Sequence, residues 1–321
     1  MSLLAADIGG THARFAIAHR EAGGIRLDSV ARLRVADFAS LDGAVAHYRE
    51  TLGAPLPQHA AIAVAGPVEG ELLKLTNNPW VLRPALMAER LGFEGVHLVN
   101  DFEAVAHAVA VMGAADHVHV AGPDTPLPDE GVVSVIGPGT GLGVAVLVRR
   151  AGQNLILPTE GGHIDFAPLD SLEDRILAHL RQGFRRVSVE RIVAGPGLGL
   201  IRQALAAIEG QAIRPLDDAE LWEAALSGDD AVARAALDRW CLSLGSVVGD
   251  LALAHWSSAV VLAGGILPRL GGFLGASGFH ARFMAKGRFE THMARLPIRR
   301  ITHPEPGLLG AAAAGFAGGA G

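Results

Sequence analysis

The chain contains the same local pattern twice, and this repeat limits the folds that it can adopt. Residues 3–18 consist of an apolar run, a Gly-Gly-Thr turn at 9–11 and a second apolar run. Residues 132–148 repeat this order around a glycine-rich turn at 137–143. Short apolar runs joined by a glycine-containing turn predict a β-hairpin. One hairpin in each half of the chain predicts an internal duplication of architecture.

A second constraint lies at residues 96–106, where a predicted strand passes directly into a predicted helix. The mostly apolar run 96–99 ends at Asn100 and Asp101, and apolar residues then follow at helical spacing. In α/β proteins, ligands bind beyond the carboxyl ends of the strands, so Asp101 is a candidate for chemistry. Asp is also a preferred helix N-cap, whose oxygen only accepts a backbone N–H. On this stretch alone, the N-cap is the favoured interpretation.

Length and composition predict a two-domain globular protein. The chain has 321 residues, half of them hydrophobic, and its 41 glycines follow no Gly-X-Y period. A net charge of −6 with only 19% charged residues disfavours nucleic acid as a partner. The start of the chain lacks a basic signal-peptide region, and no apolar run reaches the ~18–20 residues of a membrane span. We therefore expect a cytoplasmic protein with no membrane partner, in which the single cysteine, Cys241, is a buried structural thiol.

The first glycine turn has the composition of an anion-binding turn. Glycines let the backbone come close to a ligand and point its N–H groups outward. Asp7 stands just before the turn, and its carboxylate would repel an anion unless a cation lay between them. The segment predicts either a metal-phosphate site or a plain hairpin turn that Asp7 caps. Two such turns facing each other could hold a polyphosphate from both sides.

Other phosphate-binding motifs are absent from the sequence. No lysine follows either glycine turn as a Walker motif requires, and Leu142 occupies the third glycine position of G-x-G-x-x-G. The protein-kinase signatures are missing as well. The chain is therefore not predicted to be a Walker-type NTPase, a Rossmann dehydrogenase or a protein kinase.

Several polar segments have side chains that suit a polyol or a base. The loop with Asn77 offers amides and an aromatic face, although an ordinary Asn-Pro turn has the same composition. Glu160 and His163 can hydrogen-bond hydroxyls, whereas the glycines between them argue against the helical spacing of a metal site. Glu190 in isolation indicates a surface charge. A diglycine that follows the apolar run at 259–262 permits close approach to a flat base.

These motifs, taken in order from residue 3 to residue 316, resemble the bacterial glucokinase family in the branch typical of proteobacteria. Segments 7–14 and 137–143 look like its first and second phosphate loops, and 263–266 looks like its adenosine motif. The segments that look like its sugar contacts are 75–80, 100–102, 160–166 and 188–191. One departure is His12, where the family motif more often has Asn. The related repressor and sugar-kinase family carries a cysteine-rich zinc motif that this chain lacks, so we predict no zinc.

The resemblance implies an α/β fold of two domains, the actin-like ATPase (hexokinase/ribonuclease H-like) fold, with ATP and sugar in the interdomain cleft. The smaller domain would comprise residues 1–111 plus 302–321, and the larger one residues 112–301. The implied activity is a kinase reaction that uses ATP and Mg²⁺ to convert D-glucose to glucose 6-phosphate, the first step of glucose use in glycolysis. The implied assembly is a homodimer.

The resemblance also implies roles for individual residues. Asp101 would be the general base for the sugar 6-hydroxyl, and Asp7 would hold Mg²⁺ through water. The substrate-binding residues would be Asn77, Asn100, Asp101, Glu160, His163 and Glu190. The nucleotide-binding residues would be Ala6, Asp7, Ile8, Gly9, Gly10, Thr11, Gly139, Thr140, Gly141, Gly264 and Gly265.

Two alternatives remain open from the sequence. The chain could be a kinase for another hexose or an amino sugar. It could also be a sugar-sensing regulator that keeps the fold without turnover. Such regulators usually add a DNA-binding helix-turn-helix, whereas the first predicted strand here starts at residue 3. The presence of Asp101 also favours an enzyme.

Overall fold

A computed structural model describes residues 1–66, 68–75 and 77–319. The strands are β1 (Ser2–Ile8), β2 (His12–Glu21), β3 (Gly24–Arg34), β4 (His59–Val64), β5 (Leu73–Lys74), β6 (Val81–Leu82), β7 (Gly95–Asn100), β8 (His117–Ala121), β9 (Gly131–Pro138), β10 (Leu142–Arg150), β11 (Gln153–Thr159), β12 (Ala259–Leu262) and β13 (Ile298–Ile301). The α-helices are α1 (Leu41–Leu52), α2 (Pro84–Leu91), α3 (Asp101–Val111), α4 (Ser171–Leu180), α5 (Val189–Val193), α6 (Gly197–Glu209), α7 (Asp218–Ser227), α8 (Ala231–Ala254), α9 (Leu267–Leu270), α10 (Phe273–Ala276), α11 (Phe279–Met284), α12 (Glu290–Met293) and α13 (Pro306–Ala317). Short 3₁₀ turns occupy Val35–Asp37, Ala114–Asp116, Gly161–His163 and Gly287–Phe289. Thr76, which belongs to the predicted sugar-contacting segment 75–80, lies outside the described residues, as do the last two residues of the predicted small domain.

The chain divides into two compact units. The first comprises Met1–Asp116, Asn154–Pro158 and Thr302–Gly321, and the second comprises His117–Gln153 and Thr159–Ile301. The domain boundaries given by the resemblance, 1–111 with 302–321 and 112–301, stay a proposal.

The first unit contains a mixed sheet in the order β3-β2-β1-β4-β7. Strands β1 and β2 pair antiparallel, from Ser2 opposite His19 to Ile8 opposite Ala13, which confirms the first predicted hairpin. Strands β4 and β7 continue the sheet parallel to β1. The carboxyl ends of β1, β4 and β7 therefore meet at one edge of the sheet.

The second unit repeats this plan in a sheet of order β11-β10-β9-β12-β13-β8. Strands β9 and β10 form the second predicted hairpin, in which Pro138 lies opposite Leu142. Strand β12 runs parallel to β9, and β13 runs parallel to β12. An antiparallel hairpin followed by parallel strands thus occurs in both units, which confirms the predicted duplication and the α/β class.

Helices cover both faces of the first sheet because its central strand is apolar on both sides. Leu4, Ala6 and Ile8 of β1 share a core with residues of α1 and α2, whereas the alternate residues Leu3 and Ala5 pack with α13. This alternation follows from the two-residue period of a strand. The sheet is therefore fixed from both faces by buried apolar side chains.

Helix α13 approaches α3 at a glycine. A Cβ atom on Gly310 would lie 1.7 Å from the carbonyl oxygen of Ala104 in α3. A side chain at position 310 would therefore collide with backbone, which cannot rotate away. The small residue keeps α3 close to α13, and α3 is the helix that begins at Asp101.

The core of the second unit is built around the long helix α8. Trp240 and Cys241 on this helix are fully buried, and Trp240 packs edge-on against Trp222 of α7 with ring centroids 5.5 Å apart. Burial raises the pKa of the Cys241 thiol to about 12, so the thiol stays protonated. This confirms the predicted buried structural cysteine. None of the helices in the described part of the chain combines the length and hydrophobicity that a membrane span requires.

The histidine His107 on α3 should make the folded protein less stable in acid. Burial, followed by repulsion from His97, lowers the pKa of His107 to about 4 from its ordinary value of 6.5. The folded state disfavours the imidazolium, so the stability present above pH 6.5 is lost as the pH falls towards 4. After allowance for solvent screening we expect a loss of about 2 kcal/mol across this window.

The measurement is the free energy of unfolding by urea at steps from pH 7 to pH 4. His107→Gln should make its pH dependence shallower. His47→Gln, which changes an exposed histidine on α1, should leave the slope as in the unmodified protein. An unchanged slope in His107→Gln would show that His107 is not the source of the acid sensitivity.

Candidate active site

The first glycine turn, Gly9 to Thr11, lies at the carboxyl end of β1. Its conformation is fixed by the N–H of Gly9, which donates to the carbonyl of His12 at 3.0 Å. The side-chain amide of Asn78 donates to the carbonyl of Gly9 at 2.8 Å. A Cβ on Gly10 would lie 2.9 Å from the carbonyl oxygen of Asn77, so only glycine fits there. The turn and the loop of Asn77 are thus packed together.

Ala6 and Ile8, two predicted nucleotide-binding residues, flank Asp7 on β1 and point their side chains into the core. Only their main-chain atoms are therefore available to contact a ligand. His12, at the departure from the family motif, contacts the guanidinium of Arg32 through Nδ1 at 3.2 Å. Partial burial and the nearby arginines, Arg32 first among them, lower the pKa of His12.

Asp7 is held by an arginine on the neighbouring strand. Arg14 lies opposite Asp7 in the hairpin register, and its Nη1 donates to Asp7 Oδ2 at 2.9 Å. Nε of the same guanidinium lies 3.3 Å from Oε2 of Glu305, the residue just before α13. Burial raises the pKa of Asp7 above its ordinary value, although the positive charge of Arg14 opposes the rise. The carboxylate is therefore desolvated and fixed in orientation.

The surroundings of Asp7 fit a magnesium site that is completed by a substrate. Among the described residues, no group of three or more His, Cys, Asp or Glu side chains could hold a metal ion. Mg²⁺ is commonly bound by one or two carboxylates, water and substrate phosphates, and it does not need an all-protein cage. A Cβ on Gly307 would lie 2.5 Å from Asp7 Oδ2, so the start of α13 packs directly on this carboxylate.

At the strand-to-helix junction, Asp101 is not the N-cap of α3. The N-cap of α3 is Asn100, whose Oδ1 accepts from the N–H groups of Phe102 and Glu103 at 2.9 and 3.1 Å. The amide of Asn100 also donates to the carbonyl of Gly66 at 3.0 Å. The interpretation of Asp101 as the cap is therefore wrong, because its neighbour satisfies the free N–H groups of the helix. Asp101 is the first residue of α3, and its Oδ1 accepts from the N–H of Phe102 at 2.9 Å.

The sheet brings the first glycine turn and Asp101 to the same edge. Ile8 pairs with Val64, and Val64 pairs with Asn100, across three parallel strands. Neighbouring strands are about 4.8 Å apart, so the ends of β1 and β7 are separated by roughly 10 Å. A phosphate-binding turn and a carboxylate thus share one sheet edge, as expected for a site in an α/β unit.

The second glycine turn, Gly139 to Gly141, is surrounded by other predicted site residues. The N–H of Gly139 donates to the carbonyl of Gly141 at 2.8 Å. The N–H of Leu142 donates to Oε2 of Glu190 at 2.9 Å, so Glu190 is not the free surface charge that it resembles in isolation. A Cβ on Gly264 would lie 2.3 Å from the carbonyl oxygen of Pro138, at a positive φ of 109°. The diglycine after β12 therefore packs against the second turn.

Glu160 and His163 lie next to each other on a 3₁₀ turn. Oε2 of Glu160 is 3.7 Å from Nε2 of His163, and both side chains are exposed. The guanidinium of Arg186 donates to the carbonyl of His163 and to the carboxylate of Asp165, each at 2.5 Å. Arg186 was missed by the sequence analysis, since no local spacing links it to this loop. Arg14 belongs to the predicted first phosphate loop, but its ion pair with Asp7 was not predicted, although the position opposite Asp7 follows from the hairpin register.

The chain is similar to known proteins over nearly its whole length. The glucokinase family matches residues 4–316 of the chain. The glucokinase of Zymomonas mobilis subsp. mobilis is 57% identical over 315 residues, which cover 98% of this chain and 97% of that protein. The glucokinase of Xanthomonas oryzae pv. oryzae is 42% identical over 316 residues, which cover 97% and 94%.

The chain is also similar in fold to a solved structure. The crystal structure of glucokinase from an Antarctic psychrotroph is 35% identical, with a TM-score of 0.86 over 97% of this chain and 98% of that one. The predicted actin-like ATPase fold is confirmed. Because the match extends over nearly the whole sequence and includes both glycine turns and the strand-to-helix junction, the chain belongs to the glucokinase family.

Proposed function

We propose that the chain transfers the γ-phosphoryl group of ATP to the 6-hydroxyl of D-glucose. The observation that carries this proposal is Asp101, a carboxylate at the start of α3. Its bond to the N–H of Phe102 fixes its orientation on a helix that is capped by Asn100. A carboxylate placed in this way can accept the proton of the sugar hydroxyl as the oxygen attacks phosphorus. Asp101 is therefore assigned as the general base.

The other sugar ligands orient the hydroxyls and hold O6 in line with the γ-phosphorus. In the first unit these are Asn77 and Asn100. In the second unit they are Glu160, His163 and Glu190. Carboxylates and an imidazole can discriminate between sugars, because a sugar that lacks the matching hydroxyl leaves their hydrogen-bonding groups unpaired in the complex. Orientation of this kind converts the reaction of two molecules into an effectively intramolecular one.

The nucleotide is assigned to the two glycine turns and the diglycine. The N–H groups of Gly9, Gly10 and Thr11 in one unit, and of Gly139, Thr140 and Gly141 in the other, would bind the phosphates. Gly264 and Gly265 would approach the adenosine, and a Cβ on Gly265 would meet nothing within 4 Å. Asp7 would hold Mg²⁺ through water, and the ion, when bound, neutralises charge on the phosphates. With no P-loop lysine, the backbone dipoles carry much of the remaining stabilisation.

Three further assignments belong to the same proposal. The enzyme would act in the cytoplasm, at the entry of glucose into glycolysis, and would work as a homodimer. The family relation supports the location. The dimer rests on the resemblance alone.

A coupled assay tests the substrate. The purified chain is given ATP and Mg²⁺ with a panel of hexoses and amino sugars, and ADP formation is followed. The 6-phosphate product of glucose is checked separately with glucose-6-phosphate dehydrogenase. We expect the highest kcat/KM with D-glucose. A higher kcat/KM with another sugar would mean that the chain is a kinase for that sugar. No ADP formation with any sugar would indicate a sugar-sensing regulator.

A further inference from the structure

Glu190 is bonded to the second glycine turn by one carboxylate oxygen. Its Oε2 accepts from the N–H of Leu142 at 2.9 Å, and a Cβ on Gly141 would lie only 2.6 Å from the same atom. The carboxylate therefore packs directly against the backbone of the turn. A hydrogen bond from a backbone N–H to a charged acceptor is stronger than one between neutral groups.

The residues that follow Glu190 hold the other end of the same turn. Glu190 lies in the first turn of α5, and the N–H of Ala194 donates to its carbonyl at 2.9 Å. The next residue, Gly195, donates its N–H to the carbonyl of Gly139 at 2.8 Å. The segment 190–195 thus holds the turn at Gly139 and again at Leu142.

The residues that precede Glu190 are joined to the loop that carries Glu160 and His163. The N–H of Val189 donates to the carbonyl of Ile164 at 2.9 Å, and the N–H of Phe166 donates to the carbonyl of Val187 at 3.0 Å. Two backbone bonds in opposite directions make a short antiparallel pairing. The two predicted sugar-contacting segments of this unit and the glycine turn therefore form one hydrogen-bonded body.

We propose that Glu190 is a positioning residue for the phosphate-binding turn as well as a sugar ligand. Oε2 fixes the turn by accepting from the N–H of Leu142. The same carboxylate would also hydrogen-bond the sugar. The sugar site and the phosphate site are then coupled through a single side chain. The inference rests on the proposed function, which supplies the identities of the two ligands.

Nucleotide binding in the absence of sugar tests this role, since a pure sugar ligand would not affect it. The dissociation constant of Mg·ADP is measured by calorimetry on the full chain without glucose. Glu190→Ala should weaken Mg·ADP binding about 10-fold, because the turn loses its charged anchor. Glu160→Ala is the matched control. Its exposed side chain lies beside His163 and, among the described residues, makes no hydrogen bond to the turn, so the affinity for ADP without sugar should stay unchanged.

A conservative variant separates the two roles of the carboxylate. In Glu190→Gln, the amide oxygen can still accept from Leu142, so ADP affinity without sugar should stay near that of the unmodified protein. The KM for glucose should nevertheless rise, and the KM for ATP should not. Glu190→Ala should raise both KM values.

Wild-type ADP affinity in Glu190→Ala without glucose would overturn the positioning role. If Glu190→Ala does not fold, Glu190→Leu replaces it, because leucine fills a similar volume and has no acceptor for the N–H of Leu142. The same loss of ADP affinity is expected there, and wild-type affinity would again overturn the inference. Absence of ADP binding or glucose turnover in the unmodified chain would instead contradict the proposed function, so the two failures are distinguishable.

Discussion

Replacement of Asp101 by asparagine should lower kcat for glucose by ~10²- to ~10⁴-fold, the range of general-base contributions. The amide has the size of the carboxylate and keeps an oxygen that can accept the N–H of Phe102, as Oδ1 does now at 2.9 Å. It cannot take a proton from the sugar at neutral pH. The KM for glucose and the melting temperature should therefore change little. Initial rates at saturating substrate and a thermal melt measure the two effects separately.

Glu103→Gln provides the control, since it removes a carboxylate from the same first turn of α3. The backbone N–H of Glu103 takes part in the cap, whereas its side chain has no assigned role. Its kcat should stay within a few-fold of that of the unmodified enzyme. If Asp101→Asn retained activity to the same degree, Asp101 would not be the base.

The hairpins and the strand-to-helix junction could be predicted because each is encoded within about fifteen residues. Two apolar runs joined by the short turn Gly9-Gly10-Thr11 can pair locally as the strands of a β-hairpin, which is the arrangement that the sequence predicts. The N-cap could not be assigned in the same way. Asn100 and Asp101 are both good capping residues, and the choice depends on the backbone. Asn100 is the last residue of β7 and extended, with φ −62° and ψ 146°, so it becomes the cap.

The contacts that assemble the site were harder to predict because they join distant parts of the chain. The bond between Leu142 and Glu190 spans 48 residues, and the ion pair between Arg14 and Glu305 links the two ends of the sequence. No periodicity encodes such pairs. The resemblance predicts Glu190 as a sugar contact, but nothing in the sequence predicts its bond to the N–H of Leu142.

Gly310→Ala should destabilise the protein by about 3 kcal/mol, at the upper end of the cost of overpacking. The new Cβ would lie 1.7 Å from the carbonyl oxygen of Ala104, whereas ordinary contact between heavy atoms requires about 3.5 Å. The clash is with backbone, so α13 and α3 must move apart. The melting temperature should fall by at least about 5 °C.

The same variant should also lower kcat, and this links the packing of α13 to the chemistry. Helix α3 begins at Asp101, so a shift of the helix moves the base. A misplacement of 1 Å can cost about 10²-fold in rate. Gly43→Ala is the matched control, because Gly43 is exposed in the first turn of α1 and the nearest atom to its Cβ would be Ser40 Oγ at 4.0 Å. It should stabilise the protein by up to about 1 kcal/mol through helix propensity and leave kcat unchanged. If Gly310→Ala lost stability but kept its full kcat, the position of Asp101 would have to be fixed by its own β7–α3 junction and not by α13.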